Sequence, residues 1–425
     1  MQRKWWAAAA LATLVLVSGC HKSGSSSSTS VRFLNAVVDA EPLDVLVDDS
    51  AKSTGIAMGS ASAYASYDSG ARDVKIRSST SQSILVERTI TFSNGTNNTL
   101  IAYGKRASIN TLLLSDDIAT TPPSGQFQIR ALGLSADVGA VDIYLATGDI
   151  SAVAPTITSV TLGTATTFTQ LNAGTFTIVV TSSGTKDILF QSASQSFTAG
   201  TSPTIALFPA SGGKLVNVMI LSPAPTSGAV FLTNPSARVK AVNAVPDSTA
   251  LTFKANGATL LSSVPFAASS SYVVTNAGAR TFQLEASNVP GATLTSLSTT
   301  LDAAKDYTVV AVNKLAQVRL VSLADDNTIP NSGFVRLRFA NAMVDSTSVD
   351  ALVNFASQAT GIGFGTASAY YQLAAATDYT ITFATPGGVQ SIATLSPVQV
   401  DAGNVYTFYL LGTASAPQVK LVRDR

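Results

Sequence analysis

Aspartates recur at matching points of this 425-residue chain, mostly as pairs five residues apart. The first members of these pairs are Asp39, Asp137, Asp247 and Asp345. Three copies add a second member, namely Asp44, Asp142 and Asp350, whereas the third copy has Thr252 at that point. Carboxylates at this spacing could hold Ca²⁺, which takes six to eight oxygen ligands. They could also act as the paired acids of a glycan hydrolase.

A structural role is the alternative for these aspartates. An Asp side chain commonly caps a turn between two strands by accepting a backbone N–H. The loss of the second carboxylate at Thr252 and the absence of a dense acidic loop favour turn capping. We therefore predict no metal centre, while a weak ion or ligand contact at the repeated aspartates stays open.

A cation and an aromatic residue recur in the same register. The cations are Arg32, Arg130, Lys240 and Arg338, and the tyrosines are Tyr64, Tyr272 and Tyr370. The cation could bind an acidic ligand, but a position on the outer face of the first strand, or a pair with a nearby carboxylate, is favoured. The rings could stack on sugars. Because Tyr370 and Tyr371 are adjacent on a strand, they must face opposite sides, one toward the core and one outward.

Nucleophilic catalysis lacks its usual residues. The only cysteine and the only histidine are Cys20 and His21, close to the N-terminus. A Ser-His-Asp or Cys-His arrangement and an imidazole or thiolate zinc site therefore cannot form in the rest of the chain. We predict a protein that is not an enzyme and that uses no cofactor.

The first residues are typical of a secretory signal peptide, predicted over residues 1–19. Arg3 and Lys4 precede an apolar stretch over residues 5–17, and small residues follow it. The segment Val-Ser-Gly-Cys ending at Cys20 resembles the bacterial lipobox, in which the cysteine carries the lipid. Two or more acyl chains give a stable membrane anchor.

The residues that follow the lipobox predict location. His21 occupies the position after Cys20 where aspartate would be the inner-membrane retention signal of Gram-negative lipoproteins, so similarity to them indicates the outer membrane. Residues 20–30 are rich in Ser and predict a flexible tether between the anchor and the folded part.

The composition excludes several classes of protein. Charged residues make up 12% of the chain, hydrophobic residues 46%, and the mean hydropathy is +0.30. Apolar residues are continuous only over residues 5–17, so a polytopic membrane protein is excluded. The high hydrophobicity excludes disorder. The net charge of +1 provides no basic surface for nucleic acid.

The repeats indicate four domains. Residues 31–48 align without gaps with residues 337–354, and two weaker copies begin at Ile129 and Val239. A period of about 100 residues fits whole domains rather than solenoid units. Segments rich in Pro, Gly, Ser and Thr separate the copies. The predicted domains are residues 31–117, 126–222, 237–325 and 334–425.

Each copy reads as short strands with one buried face. Val74 and Ile76 alternate with polar residues, as do Phe282 and Leu284. About seven such strands per hundred residues predict an all-β chain of four tandem antiparallel β-sandwich domains, Ig-like in architecture only. The disulfide and core tryptophan of true immunoglobulin domains are missing.

These features together resemble a known bacterial family. The segment with Arg32, Asp39, Pro42 and Asp44, an Ala-Ser-Ala-Tyr segment and an Ala-Gly-x-x-Tyr-Thr strand at residues 402–407 are similar to domain of unknown function 4397. Members commonly carry a His-Ala-Ser-Pro-Asp-Ala-Pro core, and this chain has other residues at the histidine position, namely Asn35, Gly133, Asn243 and Asn341. The resemblance implies tandem domains in secreted or surface-anchored proteins and implies no activity.

We therefore expect a lipid-anchored, non-enzymatic cell-envelope protein that acts in surface binding, in adhesion or as a spacer, with a protein or glycan partner. A string of rigid domains would project its loops from the membrane. A compact arrangement around a deep polar cleft would contradict that string. The alternatives are a carboxylate-based hydrolase of envelope polysaccharide, using a pair such as Asp39 and Asp44, and a periplasm-facing assembly lipoprotein.

Overall fold

The computed structural model describes residues 27–118, 120–210, 212–223 and 228–425. The predicted signal peptide and Cys20 lie outside these residues. The described chain consists of strands and loops with two short 3₁₀ turns, Leu315–Gln317 and Pro386–Gly388. Within these ranges, none of the helical segments has the length and apolar character that crossing a membrane requires.

The strands of the first half of the chain form two domains. Domain 1 consists of β1 (Ser28–Val37), β2 (Leu43–Val47), β3 (Ser50–Ile56), β4 (Ser60–Ala61), β5 (Ala65–Asp68), β6 (Gly70–Ser78), β7 (Ile84–Phe92), β8 (Asn97–Lys105) and β9 (Ser108–Ser115). Domain 2 consists of β10 (Gln126–Gly133), β11 (Val141–Ala146), β12 (Ile157–Val160), β13 (Thr169–Asn172), β14 (Gly174–Ser182), β15 (Ile188–Phe197), β16 (Thr204–Pro209), β17 (Val216–Leu221) and β18 (Ala229–Leu232).

The second half repeats this arrangement. Domain 3 consists of β19 (Ser236–Asn243), β20 (Ala250–Ala255), β21 (Ala258–Pro265), β22 (Val273–Asn276), β23 (Gly278–Ala286), β24 (Thr293–Leu301), β25 (Asp306–Val312) and β26 (Arg319–Asp325). Domain 4 consists of β27 (Phe334–Asn341), β28 (Ser348–Val353), β29 (Ala356–Gly363), β30 (Thr366–Ala367), β31 (Tyr371–Ala374), β32 (Ala376–Ala384), β33 (Ser391–Val400), β34 (Val405–Thr413) and β35 (Ala416–Arg423).

Every domain is a sandwich of two sheets, which confirms the predicted all-β fold. In domain 1 the first sheet has β1 between β4 and β5 on one side and β8 on the other, with β9 outermost. The second sheet has the order β3-β2-β6-β7. One strand pair in each domain departs from the antiparallel expectation, because the first strand runs parallel to one neighbour: β1 to β8, β10 to β16, β19 to β25 and β27 to β34. Parallel neighbours need a long crossover, and the intervening strands provide it.

Two predicted boundaries were wrong. The tether was expected to continue to residue 30, but β1 begins at Ser28, and Ser28, Thr29 and Ser30 pair with β5. Thr29 is buried, since the neighbouring strand covers it. Domain 2 was expected to end at residue 222, but β18 adds a further strand beside β17. In both places pairing with a neighbour, rather than local composition, makes the segment a strand.

The inward rows of the two sheets form a separate core in each domain. Val31, Phe33, Val74 and Ile76 lie in the core of domain 1, so the alternation of Val74 and Ile76 marks the buried face as expected. Similar cores of aliphatic and aromatic side chains fill the other three sandwiches. Each core is large enough to stabilise a domain of this size without a disulfide.

The outward rows of the first sheets are also buried, because these sheets pack against one another. A shared apolar layer joins domains 1 and 2: Leu34, Ala36, Ile101, Leu114, Leu132, Leu134, Ala206, Phe208, Met219 and Leu221. A second layer joins domains 3 and 4: Val242, Ala244, Val310, Val312, Ala340, Ala342, Tyr409, Leu411 and Val422. The expected string of separate domains was therefore wrong, since the domains form two face-to-face pairs.

The two pairs meet around the linker at residues 326–333. The Lys105 ammonium of domain 1 donates to the Ile329 carbonyl, and the Ile329 N–H donates to Asp137 of domain 2 at 3.1 Å. The Arg425 guanidinium donates to the Asn327 carbonyl at 2.7 Å. Side chains from three domains thus hold one linker.

We expect the substitution Phe208→Ala to destabilise the chain strongly, because Phe208 is fully buried between domains 1 and 2 and packs edge-on against Phe231 at 5.4 Å. Truncating a buried Phe costs about 3 to 5 kcal/mol. Urea unfolding followed by circular dichroism measures the loss. The matched control, Phe355→Ala, changes a side chain that is 78% exposed and should cost less than about 0.5 kcal/mol. Equal effects of the two substitutions would contradict the face-to-face packing.

Candidate functional site

The repeated cation of domains 1 and 2 lies on the outer face of the first sheet, inside the interface between these domains. The Arg32 Nε donates to the Thr99 hydroxyl at 2.7 Å, and its guanidinium lies 3.5 Å from Asp116. From the other domain, Arg130 donates to the Ser115 carbonyl at 2.8 Å and lies 3.9 Å from Asp116. One aspartate therefore faces two arginines.

Domains 3 and 4 exchange their ion pairs across the interface. Arg338 of domain 4 donates to Asp325 of domain 3 at 2.6 Å. Lys240 of domain 3 donates to Asp424 of domain 4. Thr407 adds a bond to Asp424 at 2.6 Å. All four charged side chains are at most 2% exposed, and each forms its salt bridge with a residue of the other domain.

The repeated aromatic residue lies over the cation. The Arg32 guanidinium lies 5.0 Å from the centre of the Tyr64 ring, and the corresponding distance from Arg338 to Tyr370 is 4.6 Å. Both Arg238 and Lys240 lie over Tyr272. A guanidinium or ammonium group of the same domain therefore lies over each of these three tyrosine rings. Tyr371 packs against the core of domain 4. Tyr370 faces the other side, as expected, and lines a cleft to which the other domains also contribute residues.

Hydroxyl groups complete these interdomain clusters, defined here as the repeated cation, its aromatic partner and the aspartates they contact. The Tyr64 hydroxyl donates to Asp116 at 2.7 Å, and the Tyr272 hydroxyl donates to Asp325 at 2.6 Å. Burial, followed by the neighbouring carboxylate, raises the pKa of Tyr272 well above its ordinary value. Burial alone would raise the pKa of Asp325, but Arg338 and Lys240 bring it below its usual value, so the carboxylate is ionised.

Domain 2 lacks the aspartate of the other three clusters. Asp116, Asp325 and Asp424 each stand two residues beyond the strand residue that pairs with the cluster threonine. In domain 2 that position holds Pro223. The interface between domains 1 and 2 therefore has one shared carboxylate, whereas that between domains 3 and 4 has two.

The first aspartates of the predicted pairs have three different environments. Asp39 accepts the Arg106 N–H at 2.6 Å, and Asp247 accepts the Leu315 N–H at 2.8 Å, so both bind the loop between the last two strands of their own domain. Asp137 instead accepts the Ile329 N–H of the linker between the pairs. Asp345 is largely exposed and lies 3.8 Å from Lys314 of domain 3.

The second aspartates have one common environment. Asp44 accepts the Gly55 N–H at 2.9 Å and also binds Arg77. Asp142 accepts the N–H groups of Ser159 and Gly184, each at 2.9 Å. Asp350 does the same with Gly361 and Gly387: the Gly361 N–H lies 2.8 Å and the Gly387 N–H 2.7 Å from its carboxylate.

These carboxylates hold irregular points of the second sheet. Gly55, Ser159 and Gly361 have positive φ, a conformation that interrupts the strand ladder and leaves its N–H to another acceptor. In domain 3 the substituted position, Thr252, bonds to Ser287 at 2.8 Å instead. Asp39 and Asp44 bind separate parts of the backbone, Asp39 the Arg106 N–H and Asp44 the Gly55 N–H.

The position that carries histidine in the resembling family joins the two sheets of a sandwich. The Asn35 amide donates to the Ile56 carbonyl at 2.9 Å, and its oxygen accepts the Val37 N–H at 2.9 Å. Asn243 and Asn341 make the equivalent bonds. In domain 2 this space is filled by backbone, since a Cβ on Gly133 would lie 2.3 Å from the Thr161 oxygen.

A cleft of about 720 Å³ lies where all four domains approach one another. Six carboxylates line it: Asp39, Asp137, Asp302, Asp306, Asp325 and Asp326. Several of them are already engaged in salt bridges, since Asp306 binds Arg238 and Asp326 binds Arg336. No group of three or more potential metal-ligating side chains is found in the described ranges.

Sequence reasoning missed the aspartates of the clusters, although signals for them exist. Asp116, Asp325 and Asp424 each stand at the end of a repeat. The Thr that binds each aspartate lies near the start of the second-last strand of the same domain. Long apolar runs such as residues 405–411 also indicate a strand buried on both faces. Which domain supplies the partner charge cannot be read from either signal.

A match to a family model shows the family to which this chain belongs. The model of the family described as a domain of unknown function, DUF4397, matches residues 29–144, 237–350 and 336–425, more than half of the chain. This chain belongs to the DUF4397 family, as the sequence resemblance predicted. No curated protein matches it.

Solved structures show only distant likeness. The Bacillus anthracis TIE protein is 10% identical, covers 91% of this chain and is itself 68% covered, with a TM-score of 0.16. A product complex of the multi-modular glycogen-degrading pneumococcal virulence factor SpuA is 8% identical, covers 87% of this chain and is 38% covered, with a TM-score of 0.17. At these scores neither carries an argument about this chain.

We expect Asp325→Asn to destabilise the interface of domains 3 and 4, because it leaves Arg338 buried without its ionised partner. Breaking a buried ion pair on one side costs about 3 to 5 kcal/mol. The neighbouring substitution Asp326→Asn is the control, because that carboxylate is 49% exposed and should cost less than about 1 kcal/mol. Urea unfolding of both variants measures the difference. A similar, small cost for both would show that the buried pair contributes little.

The hydrogen bonds to Asp142 predict a pH dependence of stability. Burial would raise the pKa of Asp142, but the N–H groups of Ser159 and Gly184 outweigh it and lower the pKa below its ordinary value of 3.8. The stabilisation is therefore fully present above that pH and is lost as the pH falls through the lower folded value. We expect Asp142→Asn to flatten the acid side of a melting-temperature profile. Asp187→Asn, at an exposed position of the next hairpin, should leave the slope unchanged; equal slopes for all three proteins would contradict the prediction.

Proposed function

We propose that this chain is a non-enzymatic, lipid-anchored protein of the bacterial cell envelope that acts in surface binding, in adhesion or as a structural element. Its four domains act as one block rather than as a projecting string. The observation that carries this proposal is that the repeated cations and aromatic residues lie in the interfaces between domains and contact one another there. Arg338 and Lys240 are buried in an interface, so the repeat serves assembly.

The charge distribution supports a passive role. The acidic groups of highest chemical interest, Asp325 and Asp424, are paired across an interface and are at most 6% exposed. A buried ion pair of this kind specifies which surfaces meet, because either partner alone would be left as an uncompensated charge. The repeated chemistry therefore supports a rigid scaffold, which presents its loops to a glycan or protein partner in one fixed arrangement.

The proposed anchor would hold this block close to the membrane. Only residues 21–27 separate the proposed lipidated Cys20 from β1, and seven extended residues span at most about 25 Å. The outer membrane is the proposed site because His21 follows the lipobox cysteine. A short tether favours a partner within the envelope, such as its glycan or a neighbouring membrane protein.

We expect Cys20→Ser to release the protein from the membrane fraction, because the acyl chains that anchor it can no longer be attached. Fractionation followed by immunoblotting measures the release, and Ser26→Cys in the Cys20→Ser background tests whether any cysteine in the tether suffices. Retention of the Cys20→Ser protein would overturn the lipid anchor. Protease treatment of intact cells then distinguishes a surface-exposed protein, which is degraded, from a periplasm-facing assembly lipoprotein, which is protected.

A further inference from the structure

A second pocket, of about 350 Å³, lies between domains 2 and 4, and three cations line it. Lys214 comes from the loop between β16 and β17, and Arg423 and Arg425 come from the end of the chain in domain 4. Ser183 and Asn404 add polar groups. This pocket shares Asp137 with the large cleft but is otherwise formed by different residues.

The positive charges of this pocket are not matched by carboxylates. Asp137 is the only acidic residue in the lining, and its Oδ1 lies 3.9 Å from the Arg425 guanidinium. Within the described ranges, neither Lys214 nor Arg423 belongs to a salt bridge. Arg423 donates to the Asn404 side-chain oxygen and to the main-chain oxygen of Arg425, each at 2.8 Å. An excess of positive charge therefore remains in the pocket.

The cations are held in place by neutral groups. Arg425 donates to the carbonyl oxygens of Asn327 and Asp137, which fixes its guanidinium between the two domain pairs. Preorganised donors bind an anion better than mobile ones, because less side-chain entropy is lost on binding.

The loop that carries Lys214 is held equally firmly. The Asn327 N–H donates to the Gly212 carbonyl at 3.1 Å. A Cβ on Gly213 would lie 2.4 Å from the Asp306 carboxylate, so only glycine fits there. Partial burial, followed by the nearby guanidiniums of Arg238, Arg425 and Arg423, lowers the pKa of Lys214, and the Asp306 carboxylate offsets only part of this effect.

We propose that the pocket lined by Lys214, Arg423 and Arg425 binds a phosphate ester. Guanidinium groups form paired hydrogen bonds with phosphate oxygens, and a nearby ammonium adds a third charge-assisted donor. A volume of about 350 Å³ lies at the lower end of the range for small-ligand pockets and admits a sugar phosphate or a lipid headgroup. The inference deepens the binding role proposed above and rests on it only for the origin of the ligand in the envelope.

Calorimetric titration of the full chain at low salt tests this site, with glucose 1-phosphate as the free ester and unphosphorylated glucose as its control. A second arm measures sedimentation with phosphatidylglycerol vesicles against phosphatidylcholine vesicles. Saturable binding in the first arm indicates a free ester, and binding only in the second indicates a headgroup. Failure of both arms would overturn the site, whether or not the Cys20→Ser experiment supports the lipid anchor.

Variants distinguish specific binding in this pocket from non-specific attraction to positive surface charge. We expect the double substitution Lys214→Gln with Arg423→Gln to weaken binding at least tenfold while leaving the melting temperature unchanged, since both side chains are exposed. Gly213→Ala should also weaken it, by displacing the Lys214 loop. The matched control, Lys420→Gln with Arg88→Gln, removes two exposed positive charges outside the pocket and should change affinity less than twofold. Equal weakening by the control pair would show non-specific attraction and overturn the proposal.

Discussion

The first sheet of every domain packs on both of its faces, against its own second sheet and against the first sheet of a neighbouring domain. Removing both faces from water makes the central strands almost wholly apolar, as in residues 405–411 of β34. It also means that any polar residue on the outer face must find its partner inside the interface. The repeated Arg, Lys and Tyr residues follow from this requirement, and so does the pairing of the domains.

The ion pairs inside these interfaces determine which domains pack together more than they increase the free energy of unfolding. Desolvation cancels much of the attraction within a buried pair, but an unpaired buried charge is very costly. Arg338 with Asp325, and Lys240 with Asp424, therefore disfavour any packing that separates domains 3 and 4. The interface of domains 1 and 2 differs, because Pro223 stands where the other three copies have this aspartate.

Low charge and high hydropathy have the same origin. In a chain whose central sheets have no solvent-exposed face, many surface positions of an ordinary domain become interior positions, and few charged residues are needed. Some of the charges that remain lie at the junctions between domains, as with Asp137 and Arg425. The phosphate pocket lies at such a junction, and it would not exist in any single domain, because Lys214 and Arg423 come from different ones.

Alternation such as that of Val74 and Ile76, repetition and turn composition determined the all-β class, the four copies and their sandwich cores, since these depend on local periodicity. The repeated cation and tyrosine were also visible. Only the tertiary structure decided that Arg338 meets Asp325 of another domain, that Ser28 already belongs to a strand, and that Lys214 approaches Arg423. Those contacts join residues far apart in the chain, and they depend on which sheet faces pack together, which no local pattern encodes.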